Sequence, residues 1–190
     1  PSARIFLSDT LENGAGYSAL LGNPDEFEAL LLLILGTHPV KGGQFHDTFV
    51  AALHQSECAT SCHRCLREFG NMPYHTILDW RIGFDMARLA LDASAPIDFR
   101  QSYWVDLVNR EGPAYLRAFN LDVEENDGVL SGIDNTRGEG IILTHPLWDQ
   151  NPANYGEDLA EAVSRIEARG LTPHCVSIFR ALRFPFQLHI

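Results

Sequence analysis

The residues best suited to chemistry lie between His54 and His75. Cys58, Cys62 and Cys65 place three of the chain's four cysteines within eight positions. A Cys62-x-x-Cys65 pair lets one tight turn aim two thiolates at a single soft cation, and Cys58 adds a third. A closed structural zinc site holds four ligands at ~2.0 to 2.3 Å in a tetrahedron, so a further donor is needed. His75 is the expected fourth ligand, because Asn71, Pro73 and the start of a helix should turn the chain back toward the cluster. His54 and Cys175 stay open as alternatives: His54 requires the segment before Cys58 to fold tightly, and Cys175 must come in from more than a hundred residues downstream. His63, between two ligands, is expected to point away. The predicted metal set is therefore Cys58, Cys62, Cys65 and His75, holding a structural zinc.

Other chemistries compete for the same residues. A disulfide would leave one of three clustered thiols over, and nothing in the chain reads as secreted. Buried, unreactive cysteines are the plainest alternative. The Cys-x3-Cys-x2-Cys spacing also holds three irons of a cubane cluster in radical-SAM enzymes. Those enzymes place it after the first strand of a barrel, whereas here a helical segment, Phe45 to His54, precedes it. A divalent-metal nuclease is a further alternative, with Asp134 at a strand end and Glu139 before the next strand as its carboxylates. It would lack the usual lysine, since Lys41 is the chain's single lysine, and no water-orienting base is evident. Asp79 and Asp85, six residues apart on one helix, do not face each other and read as helix-capping or solvated carboxylates. No catalytic residue is assigned.

The same stretch resembles a known family. Cys58-x3-Cys62-x2-Cys65-Leu-Arg, then Asn71 and His75, then Leu78-Asp79-Trp80-Arg81, with Asp9-Thr10-Leu-Glu-Asn13-Gly14-Ala15-Gly16-Tyr17 upstream, is similar to the zinc-binding C-terminal domain of MrfA-type superfamily-2 DNA helicases. The module also occurs in phage-defence proteins of the DISARM and Druantia kind, and the resemblance covers about residues 4 to 92. One departure is that the family supplies a fourth cysteine shortly after its Cys-x-x-Cys and this chain has none there. The resemblance implies an accessory domain without activity of its own, partnered by a helicase core or another subunit of a defence complex, with DNA engaged through that assembly.

Composition narrows the function classes. A net charge of -11 and a pI near 5.0 speak against a free-standing nucleic-acid binder, which needs a concentrated positive field. Thirteen of the fourteen basic residues are Arg, suited to bidentate pairing with carboxylate or phosphate. No apolar run approaches the ~18 residues of a membrane span. Pro1-Ser-Ala-Arg shows no signal-peptide pattern, so a bacterial cytoplasm is the expected location, and an opening without Met suggests a piece of a longer protein.

The elements that must position these groups read as a mixed α/β fold: a helical cysteine-cluster module, residues 1–93, followed by a small hairpin-plus-βαβ unit, residues 94–190. Arg4 to Ser8 reads as a strand leading into a glycine turn. Asn23-Pro24-Asp25-Glu26 opens a strongly apolar helix that Gly36 stops and that should be buried, against this domain or a partner. Phe45 to His54 reads as one short helix, and Thr76-Ile-Leu-Asp79 as a capping box opening a helix to about Asp92. Gln101 to Phe119 reads as a helix broken at Gly112-Pro113, and Asp122 to Asp127 as an acidic turn. Val129 to Ile133 and Gly140 to Thr144 form a hairpin, Glu157 to Arg169 a helix stopped by Gly170, and Cys175 to Phe179 the closing strand of a βαβ crossover. Arg180 and Arg183 beside Phe184 and Phe186 read either as a contact for a partner or DNA, or as a tail packed on the sheet.

Overall fold

The computed structural model describes residues 16–188; the strand expected at Arg4 to Ser8 and nearly all of the turn after it lie outside them. The protein is mixed α/β, with its helices accompanied by a four-stranded sheet. Two compact units are present, one of residues 1–54 and 83–95, the other of residues 55–82 and 96–190. Among the described residues no helix is long and apolar enough to cross a membrane.

The first unit contains α1 (Tyr17–Leu20), α2 (Pro24–Ile34), α3 (Gln44–Val50), the start of α4 (Ala52–Glu57) and most of α5 (Trp80–Leu91). α2 begins as its sequence dictates: the Asn23 side chain accepts from the Asp25 N–H at 2.9 Å, and Pro24 takes the first helical position. Within this chain only Leu31 of α2 is buried. The centre of the unit is aromatic. Phe49 and Phe84 meet edge-on at 5.6 Å, with His46 at 5.2 Å from Phe84. The single helix expected over Phe45 to His54 is instead α3 and α4, separated at Ala51, whose ψ of 135° is extended. His54 Nδ1 lies 2.7 Å from the Phe49 carbonyl oxygen; the histidine thus occupies an acceptor that a continuous helix would have used internally.

The second unit is a sheet between two helices. α6 (Ser102–Ala118) precedes β1 (Asp122–Asn126), β2 (Val129–Asp134) and β3 (Glu139–Thr144); α7 (Glu157–Glu167), β4 (Thr172–Ser177) and α8 (Ile178–Arg183) follow. The sheet order is β1-β2-β3-β4, antiparallel except for the parallel β3–β4 pair that α7 connects. The hairpin and the βαβ crossover are as the sequence indicates. The acidic turn is not: Asp122 to Asn126 is an edge strand, and the turn is Asp127-Gly128, with φ of 52° and 81°. Two consecutive left-handed residues make the tight hairpin turn whose twist matches the flanking strands. Val129, Ile133 and Ile142 pack against Leu159, Ala162 and Ile166 of α7.

α6 runs unbroken through Pro113. An interior proline costs about 3 kcal/mol, whereas burying six large side chains at roughly 1.5 to 3 kcal/mol each outweighs it; α6 buries Tyr103, Trp104, Leu107, Val108, Tyr115 and Leu116. Gly112 permits the approach to the sheet, since a Cβ there would stand 2.6 Å from Leu130 Cδ1. β4 ends at Ser177, earlier than expected, because the Ser177 hydroxyl accepts from the Phe179 N–H and caps α8.

Candidate metal centre

The ligand atoms of His54, Cys58, Cys62 and Cys65 all lie within 4.8 Å of one another. This His/Cys3 group is positioned to bind a metal ion. His54 comes from α4, and Cys58 follows that helix directly, so a short stretch of continuous chain contributes all four donors. Two sulfurs at the corners of a tetrahedron with ~2.3 Å metal–sulfur bonds stand ~3.8 Å apart. Cys58 and Cys65 Sγ are 3.8 Å apart.

Local backbone geometry makes the knuckle. The Cys62 carbonyl accepts from the Cys65 and Arg67 N–H groups at 3.1 and 3.0 Å, and the Cys62 N–H donates to Cys65 Sγ at 3.0 Å. The turn therefore aims both sulfurs inward and offers a donor to one of them. Burial pushes the Cys58 thiol up, with Cys65 beside it adding to the effect, and burial likewise raises Cys65. Thiols in this setting stay protonated until a cation compensates the thiolate charge, so metal loading here releases protons.

His54 is 6% exposed. A carbonyl can only accept, so Nδ1 donates to the Phe49 oxygen, and in the metal-binding tautomer Nε2 carries the lone pair. A ligating imidazole whose other nitrogen donates to a backbone carbonyl is the usual arrangement of such sites.

His75, the expected fourth ligand, is not part of this group. Its Nε2 lies 2.8 Å from Asn71 Oδ1 and 3.0 Å from the Glu68 carbonyl. Both are acceptors, and this nitrogen therefore donates and braces the loop after the knuckle, whose Leu66 carbonyl Asn71 also holds at 2.8 Å. Pro73 and the 3-10 segment Phe69–Tyr74 do turn the chain back, but they deliver His75 to this loop. His63 is exposed, as anticipated, with its ring 6.1 Å from that of His75. Cys175 lies in β4, packed against the core shared with α7.

A buried arginine supports the Cys58 end. Arg81 is fully buried at the start of α5 and donates to the carbonyls of Cys58 at 3.2 Å, Ala59 at 2.7 Å and Tyr103 at 2.5 Å, with its guanidinium over the Trp80 ring. Burial lowers Arg81 to about 10, still charged at neutral pH. Asp79 caps α5 by accepting from the Arg81 N–H at 3.1 Å, so this helix begins at Trp80 rather than Thr76. Arg183 of α8 donates to the Thr76 and Leu78 carbonyls at 2.6 and 3.1 Å and stands 3.7 Å from Asp79. The C-terminal arginine thus packs back on the chain. Sequence reasoning singled out Asp79 and Arg81 within a motif but not this bracing role, which no local pattern announces.

The two carboxylates of the nuclease alternative, Asp134 and Glu139, are register partners across the β2–β3 hairpin. Asp134 Oδ1 accepts from the Thr136 and Arg137 N–H groups at 2.9 and 3.0 Å and shapes the β2–β3 turn. Glu139 lies 4.0 Å from His174. His145 is fully buried against Phe99, Trp104 and Trp148, and Trp148 donates to the Ile97 carbonyl at 2.6 Å. No protein-family model, curated protein or solved structure matches the chain.

Proposed function

We propose that this chain is a non-catalytic zinc-binding domain, an accessory module of a helicase-associated bacterial protein of phage defence or DNA repair. The zinc reading is carried by the convergence of one imidazole and three thiols within 4.8 Å. Three sulfurs and one nitrogen in a closed tetrahedral set suit Zn²⁺. A radical-SAM cluster needs an iron left open to its substrate, and His54 supplies a donor at that fourth place. Zinc here is structural: it ties α4 to the knuckle and couples metal binding to folding, contributing on the order of 10 kcal/mol.

The helicase association rests on the resemblance at Cys58 to Arg81. By it, the domain docks a motor core or partner subunit in the cytoplasm, and DNA is engaged through the assembly, in keeping with a net charge of -11 that disfavours unaided binding to a polyanion.

Elemental analysis of the purified protein tests the metal reading, with Co²⁺ substitution as a reporter. One zinc per chain, and a cobalt form absorbing as a tetrahedral thiolate complex, is the expected outcome. Iron with broad absorption near ~400 nm, or no metal, sinks it. Native purification tests the association, which fails if no helicase-type ATPase accompanies the chain.

A further inference from the structure

We propose that Cys65 is a peroxide-sensitive modification site whose oxidation closes a Cys58–Cys65 disulfide and expels the metal. The proposal rests on the zinc reading above and adds a regulation to it. Zinc has no redox chemistry of its own, so in a zinc–thiolate site the oxidisable electrons belong to sulfur. The three sulfurs here differ in access: Cys58 is 2% exposed, whereas Cys62 and Cys65 are half-buried. Cys65 Sγ also receives the Cys62 N–H at 3.0 Å, a donor that stabilises negative charge on that sulfur. Its partner is already placed, with Cys58 Sγ at 3.8 Å. A disulfide needs ~2.05 Å between sulfurs, so the two sulfurs, 3.8 Å apart, must move together by roughly 1.7 Å.

The step balances with a hydroperoxide as oxidant. The Cys65 sulfur attacks the terminal peroxide oxygen and the O–O bond breaks, giving a sulfenic acid and an alcohol, or water from hydrogen peroxide. The Cys58 sulfur then attacks the Cys65 sulfur; the S–S bond forms, the S–O bond breaks, and the oxygen leaves as water. Two thiols lose two electrons and the peroxide gains them. With thiolates bound to the metal, two protons from solvent complete the waters. Cys62 and His54 then remain as the donors, too few for a closed site, and the metal departs.

The test treats zinc-loaded protein with graded hydrogen peroxide, following zinc release with a colorimetric chelator and thiol loss by alkylation and mass spectrometry. Arg64 lies between Cys62 and Cys65, so trypsin separates them and fragmentation assigns the linkage. The expected result is ~1 zinc released per ~2 thiols lost, a Cys58–Cys65 link, and restoration by a dithiol reductant with zinc. Cys175→Ser, outside the metal group, should give the same release curve. Zinc retained while Cys175 is consumed, a Cys62–Cys65 link, or over-oxidation without any link overturns the proposal. Failure of the zinc reading is distinct: protein that neither carries nor takes up zinc fails before peroxide is added.

Discussion

Replacing His54 and His75 separately discriminates between the two histidines in one experiment. His54→Ala removes one of four donors. With structural zinc sites worth roughly 10 to 16 kcal/mol, an even share is about 3 kcal/mol or more, a weakening of zinc binding on the order of a hundredfold to a thousandfold. It also strips the Phe49 carbonyl of the Nδ1 donor at 2.7 Å, and loss of one such hydrogen bond costs about 1 kcal/mol of folding stability. His75→Ala removes bonds to Asn71 and the Glu68 carbonyl outside the ligand group. Its effect on zinc is indirect, up to about tenfold, with about 1 kcal/mol lost in stability. Competition against a chromophoric chelator reads the first quantity and urea unfolding the second. A larger loss of zinc affinity in His75→Ala than in His54→Ala refutes the assignment.

Three further outcomes follow from the geometry. Arg81→Met keeps the volume but leaves the Cys58, Ala59 and Tyr103 carbonyls without this donor, so urea unfolding should show a loss of about 3 to 5 kcal/mol together with weaker zinc binding; a change under about 1 kcal/mol refutes the bracing role. Burial pushes the Asp79 carboxyl from 3.8 to about 6 against the pull of Arg183 and Arg81. The folded protein therefore holds this proton more tightly than the unfolded chain; stability tied to it is full below about pH 4 and lost as pH rises through 6, by up to about 3 kcal/mol. Asp79→Asn should accordingly gain on the parent between pH 5 and 7.5 at saturating zinc, and a pH-independent difference contradicts this. Gly140→Ala places a Cβ 2.6 Å from Ile166 Cγ2 in the packed α7 interface, and thermal denaturation should register a destabilisation of about 1 to 3 kcal/mol.

Much of the molecule is legible in the sequence because it depends on local chemistry. The Asn23 cap with Pro24, the stop at Gly170 and the strand–helix–strand order of the last third all follow from propensity and periodicity. Three thiols within eight positions announce a cation site on the same terms, since a knuckle turn is built from neighbouring residues. Asp127-Gly128 was equally readable as a hairpin turn, but the acidic residues before it obscured a strand.

The fourth donor was a tertiary decision. His54 and His75 are each close enough in sequence, and the choice turns on a break at Ala51 beside which the Phe49 carbonyl orients one imidazole, and on Asn71 and Glu68 holding the other. The same holds for Pro113, which a helix tolerates only because its packed face outweighs the lost bond, and for Arg81 and Arg183, whose acceptors are backbone carbonyls brought near by folding. Sequence determines which groups carry the chemistry, because residue type sets donor softness and charge. Only the folded chain decides which of them meet, because backbone breaks, packing and the carbonyls that folding brings near orient the side chains.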